Sequence, residues 1–225
     1  MSARRIARAL AVLALAAAAP AAGAQAPHHQ LACQHRRGRT ILRRGEVRVY
    51  KAAGPVYTAV YGCVIGSART VQLWEVVPGA GPAPQTTGSV KRVAGPFVAV
   101  ETSTSNQYEH TQTLQVLDLR SGAGYTLSAT VEPIDEPVAL APRLEAYVLA
   151  ADGRTAALYA TFPTGASTGS AAPSPTGQIL EVRGLHAFRH VLATAGSGAI
   201  VPASLAFNGE TASWTQGGEA RSAGV

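Results

Sequence analysis

Residues 204–223 have the sequence SLAFNGETASWTQGGEARSA, which contains three short runs of alternating polarity separated by two turn pairs. The pairs Asn208-Gly209 and Gly217-Gly218 supply the positive φ angles that tight two-residue hairpin turns require. Alternation of polar and apolar residues predicts half-buried strands at Ser204–Phe207, Thr211–Thr215 and Glu219–Ala223. This stretch therefore predicts an antiparallel meander.

The same signature recurs through the rest of the chain, where helical periodicity is almost absent and Asp152-Gly153 marks a further turn. Ten more strands are predicted at Val47–Lys51, Val56–Val64, Thr70–Val77, Phe97–Thr102, Thr113–Leu119, Tyr125–Thr130, Glu145–Ala150, Thr155–Thr161, Gln178–Arg183 and Arg189–Thr194, with weaker candidates at Arg39–Leu42 and Val90–Val93. The Gly-, Pro-, Ser- and Thr-rich segments Pro78–Ser89 and Pro163–Gly177 are predicted as loops. The pattern as a whole predicts an all-β, antiparallel protein.

A sequence repeat groups these strands into units. The segment LDLRSG at Leu117–Gly122 resembles LEVRGL at Leu180–Leu185, and each has a strand pair upstream and another strand downstream. Two four-stranded units result, with a three-stranded unit before them and another, at residues 204–223, after them. The units span about 40–55 residues, which is the range of propeller blades.

The strand numbers of the first and last units predict how the array closes. The last unit is one strand short, while Arg39–Leu42 precedes the first unit as an unassigned strand. We therefore predict a small β-propeller-like array of about four to five antiparallel blades, closed by its termini, because pairing Arg39–Leu42 with Thr211–Ala223 removes two exposed sheet edges. The alternative fold is a pair of β-sandwich modules that divide near Val131–Arg143 and have two separate cores.

Several stretches carry a resemblance to a known group of proteins. They are Val47-Arg48-Val49-Tyr50, Tyr61-Gly62-Cys63, Gly95-Pro96-Phe97-Val98-Ala99-Val100, Val116-Leu117-Asp118-Leu119-Arg120 and Ser213-Trp214-Thr215-Gln216-Gly217-Gly218. With this pattern, the chain resembles secreted, β-propeller-like repeat proteins of bacteria. The regular Gly-His and Trp-Asp signatures of the better-known propellers are absent from the sequence. The resemblance implies a scaffold and assigns no ligand or activity.

The N-terminal residues predict export. Three arginines precede the apolar run Ala9–Ala19, and Ala24-Gln25-Ala26 follows it. A basic head, an apolar stretch of about 7–15 residues and an A-x-A ending are typical of a secretory signal peptide. The run is shorter than the roughly 20 residues that span a membrane. We predict a signal peptide at residues 1–26 and a single all-β domain at residues 27–225, located in the cell envelope or outside the cell.

The two cysteines, Cys33 and Cys63, are consistent with export. An even number of cysteines in an oxidising compartment predicts a disulfide, which here holds the arginine-rich N-terminal segment against the first strands. Neither C-x-x-C spacing nor paired histidines flank either cysteine, so the sequence predicts a disulfide in preference to a metal site.

Loss of three arginines with the signal peptide lowers the formal charge from +6 to +3. Five of the remaining arginines lie within nine residues: Arg36, Arg37, Arg39, Arg43 and Arg44. Such a cluster forms either a solvated, partly disordered arm or a contact with an anionic surface, such as lipid head groups or cell-wall polymer. Nucleic acid is not an expected partner, because no aromatic series is interleaved with the arginines to stack on bases.

Two acid–arginine pairs occupy corresponding positions of the repeat, Asp118 with Arg120 and Glu181 with Arg183. Residues i and i+2 of a strand share a sheet face, so each acid lies beside its arginine. Each pair is predicted to be a structural ion pair. The alternative is a ring of polar groups near a propeller axis that contacts a ligand.

Tryptophans and adjacent acids are the next candidates for a site. Trp74 and Trp214 belong either to the core or to a carbohydrate-binding platform. Asp135 and Glu136 form a carboxylate pair of the kind that glycosidases use, although they lie in a proline-rich connection typical of solvated residues. No G-x-S-x-G motif is present to supply a nucleophilic serine.

Histidines give two further candidates. His186 and His190 lie about 13 Å apart if both are in one strand, which is too far for a shared metal ion. A tight turn between them would bring them closer. His28 and His29 begin the predicted mature chain, where a His-His pair either binds copper or has no role. The sequence predicts no cofactor and no metal.

These observations favour a secreted, non-catalytic scaffold or binding module with an unknown protein or glycan ligand. The alternative is a small extracellular glycan-active hydrolase, which would gather Asp, Glu or His with tryptophan in one cleft. A scaffold would leave its acids dispersed.

Overall fold

The computed structural model describes residues 33–53, 57–76, 85–106, 109–133, 141–163, 173–186 and 188–225. Its strands are β1 (Arg39–Arg44), β2 (Val47–Ala53), β3 (Thr58–Val64), β4 (Val71–Val76), β5 (Gln85–Ala94), β6 (Phe97–Ser105), β7 (Glu109–Asp118), β8 (Gly124–Pro133), β9 (Arg143–Leu149), β10 (Thr155–Thr161), β11 (Gly177–Arg183), β12 (Arg189–Gly196), β13 (Ala206–Asn208), β14 (Thr211–Gln216) and β15 (Glu219–Gly224). Two 3₁₀ turns lie at Cys33–His35 and Pro202–Ser204. Within the described ranges, no helix has the length and apolar character needed to cross a membrane.

The strands form four antiparallel sheets, and in each sheet the strands pair in chain order. Sheet 1 contains β1–β4, sheet 2 contains β5–β8, sheet 3 contains β9–β12 and sheet 4 contains β13–β15. The predicted all-β antiparallel class and the two central four-stranded units are confirmed. The predicted loop Pro78–Ser89 is wrong at its end, because β5 already begins at Gln85 and pairs along its length with β6.

Glycine-containing turns join the strands of the last meander, but its first strand and first turn are shifted from their predicted positions. Ser204 lies in the second 3₁₀ turn, and Asn208 ends β13 opposite Thr211, so the first turn is at residues 209–210. Gly217 and Gly218 join β14 to β15 with φ angles of 60° and 84°, and Gln216 lies opposite Glu219. Two consecutive positive φ angles are the geometry of a type I′ turn, whose twist matches that of antiparallel strands. The order of the strands in sheet 4 therefore follows from local sequence.

The start of β6, in the interior of sheet 2, is buried on both faces. Alternate residues of a strand point in opposite directions, and here each direction meets a neighbouring sheet. Val98 and Val100 pack with Val47, Val49 and Trp74 of sheet 1, together with other apolar residues of both sheets. This pattern explains why the start of β6 is a continuous apolar run, since a strand covered on one face would alternate with polar residues.

The opposite face of sheet 2 packs on sheet 3. Phe97 and Ala99 of β6 share a cluster with Ala157 and Tyr159 of β10. The residues of β10 that alternate with these, Ala156 and Leu158, point to the other face of sheet 3 and pack with residues of sheet 4. Successive sheets therefore stack face to face in the order 1, 2, 3, 4.

Neighbouring sheets pack as in a β-sandwich, which agrees in part with the alternative fold. That alternative also predicted two separate cores divided near Val131–Arg143. The cluster around Phe97 and Tyr159 instead joins sheets on both sides of this division, and the described residues all belong to one compact unit, Leu31–Val225.

The predicted closure of the fold by its termini is wrong. Arg39–Leu42 does not pair with Thr211–Ala223, because it lies in β1 and pairs with β2, with Arg39 opposite Lys51 and Arg44 opposite Val47. The short turn at residues 45–46 makes this local hairpin, and closing so short a loop costs far less chain entropy than joining distant ends. Sheet 4 has three strands in the described part of the chain, and no closed propeller forms.

The predicted disulfide is confirmed. Cys33 and Cys63 are bonded with a Cα–Cα distance of 5.8 Å, and both residues are fully buried. With Tyr50 they form a cluster on the face of sheet 1 that points away from sheet 2. The disulfide therefore fastens the segment before β1 across an otherwise open sheet face.

Arg48 holds the same N-terminal segment by hydrogen bonds. Its guanidinium is buried and donates to the carbonyl oxygens of Cys33 (2.7 Å), Arg36 (3.1 Å) and Gly38 (3.2 Å). The prediction of a partly disordered arginine-rich arm is therefore wrong for residues 33–44, which are fixed by these bonds and by pairing in β1.

Candidate functional site

The candidate site is built around Glu181, a fully buried acid in the middle of β11. Its chain neighbours Leu180 and Val182 pack toward sheet 4, so Glu181 points toward sheet 2. Burying a lone carboxylate is costly unless positive charge and hydrogen bonds compensate it. The surroundings of Glu181 supply both.

Two arginines clamp this carboxylate. Arg183 donates from Nε to Oε1 of Glu181, and Arg189 donates from Nε to Oε2 at 2.6 Å. Arg183 is two residues along β11, and Arg189 lies opposite it on β12. Both oxygens are occupied, and the cluster of one acid and two bases retains a formal charge of +1.

Arg183 also ties sheet 3 to sheet 2. It donates from Nη1 to the carbonyl oxygen of Thr126 in β8 at 3.0 Å, and its guanidinium lies 5.2 Å from the ring centre of Tyr159. The Tyr159 hydroxyl donates to the carbonyl oxygen of Leu127 at 2.8 Å. The clamp is therefore part of the interface between the two central sheets.

Tyr125 completes the polar part of the site from sheet 2. Its hydroxyl donates to the carbonyl oxygen of Gly153 at 2.7 Å and lies 2.5 Å from Oγ1 of Thr155. Burial raises the pKa of Tyr125 and the pKa of Tyr159 to about 12 each. Both phenols are therefore neutral hydrogen-bond donors near neutral pH.

Two cavities flank the clamp. One, of about 140 Å³, lies beside Leu127, Tyr159 and Glu181. The other, of about 250 Å³, is lined by Tyr125, Thr126, Arg183, Gly184, Phe188 and Arg189, and we call it the arginine groove. The Arg189 side chain is 59% exposed and Phe188 is 46% exposed. The groove thus offers an unblocked guanidinium edge beside an exposed aromatic ring.

Raised tyrosine pKa values predict a loss of stability at high pH. Folding favours the neutral phenols, so their contribution is complete below about pH 10 and is lost as the pH rises toward 12. We expect the free energy of unfolding in urea to fall over this range, and to fall less steeply in the double variant Tyr125→Phe, Tyr159→Phe. Equal slopes for the two proteins would contradict the burial of these hydroxyls.

Both predicted acid–arginine pairs form, but in different surroundings. Oδ1 of Asp118 accepts from the backbone N–H of Arg120 at 2.9 Å and from its Nε at 3.2 Å, and Oδ2 accepts from the Ser121 hydroxyl at 2.9 Å. Burial opposes ionisation of Asp118, yet these hydrogen bonds hold its pKa below the usual value. This pair closes the turn after β7.

The two pairs are not joined into a ring of polar groups. No hydrogen bond or ion pair links Asp118 or Arg120 to the Glu181 clamp in the described part of the chain. The interpretation as separate structural ion pairs therefore fits the geometry, and the clamp differs from the turn in having a second arginine.

The tryptophans belong to the core. Trp74 is buried between sheets 1 and 2, and Trp214 is buried between sheets 3 and 4. Neither ring forms a carbohydrate platform. Glu181 lies in the interface between sheets 2 and 3, so this acid and the tryptophans are in different places.

The histidines His186 and His190 are both exposed. His186 lies in the β11–β12 connection with a φ angle of 61°, and His190 lies in β12. Within the described ranges, no group of three or more His, Cys, Asp or Glu residues is placed to hold a metal ion. His28, His29, Asp135 and Glu136 lie outside the described residues, as does the predicted signal peptide at residues 1–26.

Sequence reasoning missed Tyr125, Tyr159, Phe188 and Arg189 as site residues, although it placed three of them in predicted strands. One signal was available: Arg189 begins a predicted strand that follows the strand of Glu181 and Arg183, so a hairpin would place it near them. The face to which each side chain points was not available from the sequence.

Comparison with known proteins gives no relative: no family model, no curated protein and no solved structure matches this chain.

Proposed function

We propose that this chain is an exported, non-catalytic scaffold or binding module that holds an anionic group of its ligand in the arginine groove. The observation that carries the proposal is the double clamp on Glu181. Both carboxylate oxygens accept hydrogen bonds from arginines, so the acid is engaged while the outer edge of Arg189 stays open. Such a site can bind an anion through Arg189, and the Glu181 carboxylate is not free to act as a base.

The rest of the site supports binding over hydrolysis. Tyr125 and Tyr159 are neutral donors with pKa values of about 12, so neither acts as a base near neutral pH. The tryptophans, which a glycan-active hydrolase would place beside its acids, are buried in the two other sheet interfaces. Export is supported by the basic and apolar N-terminal sequence and by the disulfide, which suits an oxidising compartment.

The fold also bears on this role. We propose that the four sheets are an open array of propeller-like blades. Each sheet is a meander of chain neighbours, and the sheets stack face to face in chain order, as blades do. Because β1 completes sheet 1, the array is open, with the arginine groove at its central interface.

The binding role is tested by a screen of glycans and proteins against the mature protein, Arg189→Gln and the control Arg221→Gln. Arg189 and Arg221 are exposed to a similar extent, and each pairs with a glutamate. A charge-assisted hydrogen bond contributes about 1.5–3 kcal/mol, so we expect at least a tenfold loss of affinity for Arg189→Gln and less than twofold for the control.

Two results would count against this function. Equal affinities for Arg189→Gln and the unaltered protein would remove the arginine groove as the site. Release of shortened products from any glycan in the screen would favour the hydrolase alternative.

A further inference from the structure

A second feature, on the edge of sheet 1, points to an additional partner. Arg37 precedes β1, Arg39, Arg43 and Arg44 lie in it, and Lys51 lies in β2 opposite Arg39. All five side chains are exposed. We call this set the basic edge.

The charge of the basic edge is not compensated. Ion pairs in the described residues engage six other cations, Lys91, Arg120, Arg154, Arg183, Arg189 and Arg221. None of the described ion pairs includes a residue of the basic edge. The described ion pairs leave ten of the 16 cations after residue 26 unengaged, and five of these ten form the basic edge. Two more of the ten, Arg36 and Arg48, lie beside it, so positive charge is concentrated at this end of sheet 1.

The arrangement of these cations is linear. Arg39 and Arg44 lie opposite Lys51 and Val47 on one face of sheet 1, whereas Arg43 lies opposite Arg48 on the other face. In a strand, residues five apart are separated by about 16 Å. Arg39, Arg43 and Arg44 thus follow both faces of β1, which is the edge strand of sheet 1 in the described part of the chain. An extended polymer along this edge reaches all three arginines, whereas a flat surface meets one face.

The segment that carries the cations is held in place before any partner binds. The Cys33–Cys63 disulfide and the bonds from Arg48 fix the chain leading into β1, and Arg36 donates to the carbonyl oxygen of Ala68 at 2.8 Å. A preorganised surface loses less conformational entropy on binding. The large apolar residue exposed on β1 is Ile41, and β1 contains no aromatic residue. The edge therefore offers positive charge but no aromatic ring on which a base or sugar could stack.

We propose that the basic edge binds a linear anionic polymer with repeating carboxylate or phosphate groups. Arginine guanidinium groups match both anions through paired N–H donors. The inference goes beyond the ligand of the arginine groove, since it concerns a different surface and a polymer in place of a single anionic group.

The test measures binding of the mature protein to polygalacturonate, which carries carboxylates, and to polyphosphate, over a series of salt concentrations. Five cations predict a slope of log affinity against log salt of roughly −3.5, at about −0.7 per neutralised charge on a flexible chain. Binding to one polymer in preference to the other identifies the anion.

The decisive variant is Arg39→Gln, Arg43→Gln, Arg44→Gln. Its matched control is Lys91→Gln, Arg143→Gln, Arg221→Gln, which removes the same charge from exposed positions elsewhere. We expect the first variant to lose at least tenfold in polymer affinity, with a slope of roughly −1.4 for the two cations that remain, and the control to lose less than threefold. Neither variant should alter binding in the arginine groove, so the two proposals fail independently.

Three outcomes would overturn the inference. The first is equal loss of affinity in both triple variants, which indicates diffuse electrostatics. The second is no salt-dependent binding of the unaltered protein to either polymer. The third is binding to vesicles of phosphatidylserine and phosphatidylcholine but to neither polymer, which would assign the edge to a membrane surface.

Discussion

Replacing Phe97 with alanine is expected to destabilise the protein by about 3–5 kcal/mol. The ring is 1% exposed and packs between sheets 2 and 3. The guanidinium of Arg120 covers it from one direction, and a Cβ built on Gly153 would lie 2.6 Å from its Cζ atom. The backbone and small residues around the ring have little freedom to collapse into the space it would leave.

Urea unfolding followed by circular dichroism measures this loss. Phe188→Ala is the matched control, because it removes the same side chain from an exposed position in the arginine groove. The control should change the free energy of unfolding by less than about 1 kcal/mol. Similar losses for the two variants would contradict the placement of Phe97 between the sheets.

Removing the disulfide is expected to cost about 3–4 kcal/mol, because Cys33 and Cys63 close a loop of thirty residues. The double variant Cys33→Ser, Cys63→Ser should unfold at a lower urea concentration, and the loss should also appear in the unaltered protein when a reductant is added. Both sulfur atoms are buried beside Tyr50, so the cap on sheet 1 should loosen with the bond.

The double serine variant serves as its own control, since reductant should leave its unfolding curve unchanged. A reductant effect of the same size in both proteins would show that the cost does not come from this bond.

Local sequence predicted most of the strands and several turns of this fold. Short runs bounded by turn residues identified the paired segments of sheets 2 and 3, apart from the first part of β5. Gly217-Gly218 marked a turn whose two positive φ angles are present. These features depend on residues close in the chain. The pairing of Cys33 with Cys63 was also predictable, because the chain contains no other cysteine.

The closure of the fold was not predictable by counting strands. A missing strand in the last unit suggested a distant partner, while the turn at Gly45 and Glu46 already placed β1 beside β2. Here local pairing prevailed, since closing a two-residue turn costs less chain entropy than joining two distant ends of the chain.

The acid–arginine pairs of the site were predictable, but its other residues were not, because the face to which a strand side chain points depends on the register of strand pairing. Asp118 and Glu181 occupy similar sequence positions, yet Asp118 lies opposite Phe97 at the end of β7 and Glu181 lies opposite Ala157 in mid-strand. A two-residue turn precedes β6, whereas residues 150–154 precede β10. Such differences, with the bulge beside Glu181, set the direction of each side chain. No sequence motif therefore indicated that Arg189 would pair with Glu181.

Sheets 2 and 3 share one interface, and residues of both sheets line the arginine groove there. Amide hydrogen exchange in the unaltered protein and in Phe97→Ala tests this arrangement. We predict that the slowest-exchanging amides of β6 and β7 and those of β10 and β11 lose protection by the same factor, because the two sheets unfold together. A loss confined to sheet 2, with β10 and β11 as protected as before, would contradict this arrangement and indicate two independent sandwich modules.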